Sequence, residues 1–278
     1  MYKEQKEEES ESENNESFDE EIEDKPKREK SKQPKLKSVK KPKEEKLYIA
    51  NTTFRSNMQS MIKLMEEIEL NEEHVKLLKK TPFWLLLDTF IHKKLKADQC
   101  LKHDEVVANI IQSYNGKSFN IAGKQVKFTK NDVRLIFGIR DGDEEMKFTY
   151  CAKSSVQMLK RRKIDLKSLT AKSVRKILND CMKKNTKENV RDVVRLICLH
   201  LCISLFFSTG GTSLSWWYMD RVEAIENLSN FDWCGAIRDK LMNSVKKNSD
   251  SPMKTTGCAM ALLVNFYYLL TSKLDFHS

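Results

Sequence analysis

The chain has 278 residues, 50 Lys+Arg against 40 Asp+Glu, a net charge of +10, 40 % hydrophobic and 9 % aromatic residues. That length allows one large or two small domains, and the aromatic content is enough for a core. Eight Gly and five Pro are too few for the turns of an all-β sandwich, a propeller or a dinucleotide-binding α/β fold.

The charge is unevenly spread. Residues 1–24 carry twelve acids against Lys3 and Lys6, a net of −10, whereas residues 25–46 carry eleven cations against Glu29, Glu44 and Glu45, a net of +8. The remaining 232 residues therefore hold +12. With few apolar side chains, and Pro26, Pro34 and Pro42 in its basic half, the segment 1–46 cannot bury enough surface to offset chain entropy and is expected to be disordered. Lys25, Lys27, Arg28 and Lys30, followed by Lys40, Lys41 and Lys43, form two cationic clusters like the arms of a nuclear-localisation signal, which an import receptor binds in acidic grooves; a solvated linker is the alternative. The acidic N-terminus has no apolar h-region, so no secretory signal peptide is expected. The nucleus is the expected location, and the cytoplasm the alternative.

From residue 47 helix follows helix. Phe54, Met58, Met61, Ile62, Met65 and Ile68 recur at helical spacing over 54–70. Asn71, with Glu72 and Glu73 behind it, is an N-cap for a short helix through Val75, Leu77 and Leu78. Thr81-Pro82 reads as a capping hydroxyl followed by a proline at the first helical position. A helix over 104–113 ends at Tyr114-Asn115-Gly116. Ser118–Ile121 and Lys124–Phe128 flank Ala122-Gly123 and predict a small β-hairpin. Thr129 and Asp132 form a capping-box relative at the head of a helix that Gly138 ends. Further helices are expected over 154–163, 170–184, 187–208, 216–227, 232–247 and 256–273, with a break at Thr209-Gly210-Gly211. The apolar runs 193–207 and 258–270 are shorter than the ~20 residues that cross a bilayer, so no membrane association is expected. The fold class is mainly α: a multi-helix globular domain or bundle over 47–273 with one hairpin at about 118–128, a disordered tail before it and a short tail at 274–278.

Thr81-Pro82-Phe83, the run Ser118 to Val133, and Ile136-Phe137-Gly138-Ile139 resemble the aminotransferase-like plant mobile domain and the related domain of unknown function that accompanies Ulp1-type proteases in transposon-derived plant proteins. Leu228-Ser229-Asn230-Phe231-Asp232-Trp233, Ala236-Ile237 and Gly257 to Leu262 with Phe266-Tyr267 agree, so the resemblance spans roughly residues 75–270. Arg140 stands where that family usually has proline, which marks a divergent member. The resemblance implies a mostly helical domain from mobile-element proteins, with some relatives acting in nuclear silencing and genome maintenance. It also raises a second reading, the remnant of a Ulp1-type protease polyprotein without its catalytic domain.

No catalytic, cofactor or metal residue is assigned. Phosphate-loop, GxGxxG, HExxH and GxSxG patterns are absent, and a pyridoxal phosphate site would need a Schiff-base lysine, an acid and a phosphate cup that no residue singles out. Seven dispersed cysteines without CxxC spacing point to reduced thiols. Cys198-x-His200-x-Cys202 reads as core rather than metal site, because His200 lies about 200° around the helix from Cys198. Cys100 with His103 or His92 is the best available dyad, and surface or core placement is the better reading. Lys160, Arg161, Arg162 and Lys163 form the densest cationic run of the body, with Lys172, Arg175, Lys176, Lys183 and Lys184 soon after, and are the candidate nucleic-acid contact. The expected function is that of a non-enzymatic, transposon-derived nuclear interaction module with a protein partner. The alternative is weak, sequence-independent nucleic-acid binding through a basic helix face.

Overall fold

The computed structural model describes residues 53–54, 56–100, 102–147, 156–164, 170–209 and 218–274, with side chains described as far as Tyr267. The tail 1–46 with its seven candidate signal residues (Lys25, Lys27, Arg28, Lys30, Lys40, Lys41 and Lys43), Cys151, Trp216, Trp217 and residues 275–278 lie outside them. The described residues form a mainly helical fold with one antiparallel two-stranded hairpin, as the sequence predicts.

The first helix, α1 (Met58–Glu67), is shorter than its apolar pattern. Asn57 Oδ1 accepts from Ser60 N at 3.2 Å and sets its start, so Phe54 precedes the helix yet is buried. In α2 (Glu72–Leu78) the Asn71 cap is complete: Asn71 Oδ1 accepts from His74 N at 3.0 Å, and His74 Nδ1 accepts from Asn71 N at 3.2 Å. Thr81 is a correction. Its hydroxyl donates to the Leu78 carbonyl at 2.7 Å and so finishes α2, while α3 (Trp84–Ile91) starts at Phe83 without a side-chain cap. After α4 (Asp104–Gln112), Asn115 Oδ1 accepts from Lys117 N and Ser118 N, each at 3.0 Å, and turns the chain into β1 (Phe119–Ile121).

β1 pairs with β2 (Lys124–Val126) in the register Phe119↔Val126, Asn120↔Gln125, Ile121↔Lys124. Ala122 and Gly123 both have positive φ, 49° and 77°, the turn whose twist matches the strands it joins. Phe119 anchors the hairpin against Phe266 at 5.2 Å between ring centres. Thr129 and Asp132 cap α5 (Lys130–Phe137) reciprocally, and Gly138 ends it in the left-handed region.

Downstream lie α6 (Gln157–Arg161), α7 (Ala171–Met182) and α8 (Lys187–Leu201). α8 is apolar nearly all round from Val193 to Leu201, every one of those residues is buried, and it packs against α7 and α2. Such a helix belongs in the middle of a fold. The predicted helix over 187–208 changes character at its end. Residues Cys202–Phe206 widen into a π turn, with Phe207 N donating to the Cys202 carbonyl at 2.7 Å. Later carbonyls in this last turn have no partner within the helix. Ser204 O takes Asn57 N at 2.7 Å and Leu205 O takes Ser56 Oγ at 3.3 Å, which fastens the segment entering α1 to the central helix.

The single helix expected over 216–227 is instead α9 (Met219–Glu223) and a 3₁₀ segment (Ile225–Asn230), parted at Ala224, whose φ −94° and ψ 78° are not helical. α10 (Trp233–Asn248) starts at the Asp232 cap, and α11 (Met260–Leu274) starts later than its pattern, after a 3₁₀ turn at Pro252–Lys254. The core is one contiguous cluster from Phe54 to Phe266. Its centre is aromatic: Phe83 meets Trp233 edge-on at 4.9 Å, Phe137 meets Phe206 at 5.3 Å, and Phe207 stacks on Tyr218 at 5.1 Å.

Candidate nucleic-acid interface

Four residues, Lys160 to Lys163, were adjacent in sequence, and the structure divides them. Arg161 and Arg162 both reach the buried carboxylate of Asp192. Arg161 Nη2 lies 2.7 Å from Asp192 Oδ1, and Arg162 donates through Nε to Asp192 Oδ2 at 2.8 Å and through Nη2 to Asn189 Oδ1 at 2.5 Å. The Asp192 carboxylate is fully buried and also receives Arg195 Nη1 at 2.8 Å. A buried carboxylate needs this company, because desolvation of an unpaired charge is prohibitive. The cluster ties three helices: Arg195 Nε donates to the Glu223 carbonyl at 2.8 Å, and Glu223 Oε2 accepts from Met158 N, at the head of α6, at 3.2 Å. Nearby, Arg191 and Glu226 pair at 2.7 Å; this contact raises the guanidinium's pKa and lowers that of the carboxyl.

Lys160 and Lys163 stay exposed. The same hydrogen bonds that fix α6 carry them to the corner between α7 and α8: Asn189, the acceptor of Arg162, donates through Nδ2 to the Lys184 carbonyl at 2.8 Å. Lys183, Lys184 and Lys187 are exposed there. Lys183 pairs with Asp180 at 2.7 Å, which lowers the pKa of that carboxyl. Among the described residues Lys160, Lys163, Lys184 and Lys187 have no carboxylate partner. Glu188 beside them lies 3.5 Å from Arg161. Arg175, on the neighbouring stretch of α7, is taken by Glu67 at 3.2 Å. Sequence reading missed Lys187 as a member of the corner and Asp192 as the counter-ion. The one signal for Asp192 is an acid three residues before Arg195 at the edge of an apolar run.

Cys198, His200 and Cys202 are all buried in and just beyond α8; burial pushes the Cys198 thiol up to about 12 and raises the Cys202 thiol well above its ordinary value. His200 Nε2 faces Ser60 Oγ at 3.2 Å, and burial, then the Arg175 charge, pulls its pKa down to about 4. Cys100 and His103 line one cleft with Lys102, Asp104 and Met260, but burial and the Asp98 charge raise the Cys100 pKa, and no hydrogen bond joins it to His103 among the described residues. His92 is elsewhere, 3.0 Å from Asp88. Among the described residues no helix is long and apolar enough to cross a membrane.

No curated protein and no solved structure matches the chain. A family model does, over residues 54–263, a span that runs from the buried Phe54 through the lysine corner into α11, and the chain belongs to that family, described as a domain of unknown function (DUF8566).

Proposed function

We propose that the chain is a non-enzymatic interaction module that makes weak, sequence-independent contacts with nucleic acid through its lysine corner. One observation carries this reading: two separate basic runs meet, leaving Lys160, Lys163, Lys184 and Lys187 exposed and, among the described residues, without carboxylate partners, while Asp192 holds the neighbouring arginines. Lysine ammonium groups neutralise phosphates as point charges, and phosphate contacts carry no sequence information. A non-enzymatic role is supported by the thiols of Cys181, Cys198, Cys234 and Cys258, which burial raises to between about 11 and about 12, away from the thiolate a nucleophile requires. The test is binding to random-sequence duplex and single-stranded DNA at 50 and 200 mM salt. The expected result is a steep loss of affinity with salt, and a log–log slope reduced by about four in the variant with all four lysines changed to alanine. An unchanged slope in that variant rejects the reading.

The same proposal places the chain in the nucleus, with Lys25, Lys27, Arg28, Lys30, Lys40, Lys41 and Lys43 engaging an import receptor. It derives the chain from a plant-mobile-domain type of transposon protein with a role in silencing or genome maintenance. Its support is the spacing of the two cationic clusters and the motif likeness over 75–270. A fluorescent fusion of the full chain is expected to be nuclear, and cytoplasmic when those seven cations become alanine; a wild-type fusion confined to the cytoplasm removes the nuclear premise. A protein partner is the second reading, favoured by two exposed leucines.

A further inference from the structure

Leu85 and Leu135 are 57 % and 70 % exposed, although their helices bury Leu86, Leu87, Val133 and Phe137. The end of α5 brings them near each other. A Cβ added at Gly138, where α5 ends, would meet Leu85 Cβ at 3.0 Å, and Leu135 lies one turn earlier on that side of α5. Trp84, partly buried, extends the apolar surface under Lys79, whose Nζ is 5.5 Å from the ring centre.

The border of this surface is cationic. Arg140 Nη2 donates to the Lys79 carbonyl at 2.9 Å and Arg134 Nη2 to Asn131 Oδ1 at 2.7 Å, both neutral acceptors. Among the described residues no carboxylate pairs with Lys79, Arg134 or Arg140. Asp88, one turn after Leu85, is taken by Lys94 at 2.7 Å and His92 at 3.0 Å.

We infer that this face of α3 and α5 docks an acidic amphipathic helix of a partner protein. Apolar side chains at i and i+4 of such a helix cover Leu85 and Leu135, and its flanking carboxylates neutralise Lys79, Arg134 and Arg140. A polyanion would satisfy the cations and leave the leucines in water. A second copy of this chain would set cation against cation. The surface is built from other elements than the lysine corner and does not rest on it.

The probe is a labelled synthetic helix with leucines at i, i+4 and i+7 flanked by glutamates, titrated against the full chain by fluorescence anisotropy. The same helix with lysine for every glutamate, and a duplex DNA competitor, accompany it. The glutamate helix is expected to bind and the lysine helix to fail. Leu135→Ser and Arg140→Ala should each weaken binding by about tenfold, with circular dichroism unchanged, whereas Lys160→Ala with Lys163→Ala leaves it intact. Equal binding of the two helices, indifference to Leu135→Ser in a folded variant, displacement by DNA, or self-association of the chain that Leu135→Ser abolishes would overturn the inference.

Discussion

Asp192 carries more of the structure than any other charged side chain. It is wholly buried and accepts from Arg161, Arg162 and Arg195, so its removal takes a shared counter-ion from three guanidinium groups, among them the buried Arg195. Asp192→Ala is expected to destabilise the chain by about 3–5 kcal/mol in urea unfolding. Arg161→Ala should cost far less, because Arg161 is 36 % exposed and water can replace the contact. His200 sets a pH dependence. Its folded pKa of about 4 lies below the ordinary 6.5, so the unfolded chain takes up this proton first. Stability should hold above pH 6.5, fall as the pH drops toward 4 and level off below; burial lowers the His74 pKa too and adds to that fall. His200→Gln should flatten most of the slope in melting temperature against pH, and an unaltered slope would remove His200 as its cause. The thiols follow the same logic. At neutral pH iodoacetamide should label Cys100, which is partly exposed, well ahead of the buried Cys181, Cys198, Cys202, Cys234 and Cys258.

At the scale of elements, local signals fixed by short-range sterics and hydrogen bonds were legible in the sequence. The Asn71 and Thr129 caps, the left-handed Gly138 and the Ala122-Gly123 turn all stand where the residues place them. Two of these positions invite a test. Gly138→Ala forces a Cβ into φ 61° and to 3.0 Å from Leu85 Cβ, at an expected cost of about 1–2 kcal/mol or more. Ala122→Asn, at φ 49°, should instead raise stability by about 0.5–1 kcal/mol, since asparagine tolerates that conformation; an equal or lower urea midpoint contradicts the turn assignment. What was not legible turned on a competing acceptor three residues away in one case and on distant partners in another. Thr81 has the residue type of a helix start, but its hydroxyl is captured by Leu78 O. The π turn at Cys202–Phe206 answers to Ser56 and Asn57, nearly 150 positions away, and no periodicity within 187–208 announces it.

For the molecule as a whole, one contiguous core links α1 to α11. Thermal unfolding followed by far-UV circular dichroism and by tryptophan fluorescence is therefore expected to give coincident, single transitions. Two separated transitions would show that the core divides. Charge chemistry differs across the surface: at the α7–α8 corner Lys160, Lys163, Lys184 and Lys187 stand without carboxylates among the described residues, while Arg161, Arg162, Arg175, Arg191 and Arg195 are held in ion pairs. The net charge of +10 sums segments of opposite sign and does not say where unpaired cations stand.

Sequence by itself determined the helical class, the hairpin, most caps and the core identity of the cysteines around α8, because periodicity, turn chemistry and apolar surroundings act over a few residues. It also located the basic run at Lys160–Lys163. Only the tertiary structure decided that half of that run is held by the buried Asp192 carboxylate. A guanidinium is drawn to a buried carboxylate, and Asp192, some thirty residues downstream, reaches Arg161 and Arg162 only once α6 has packed on α8. The same packing assembles the lysine corner from two separate runs, a proximity that linear spacing does not encode.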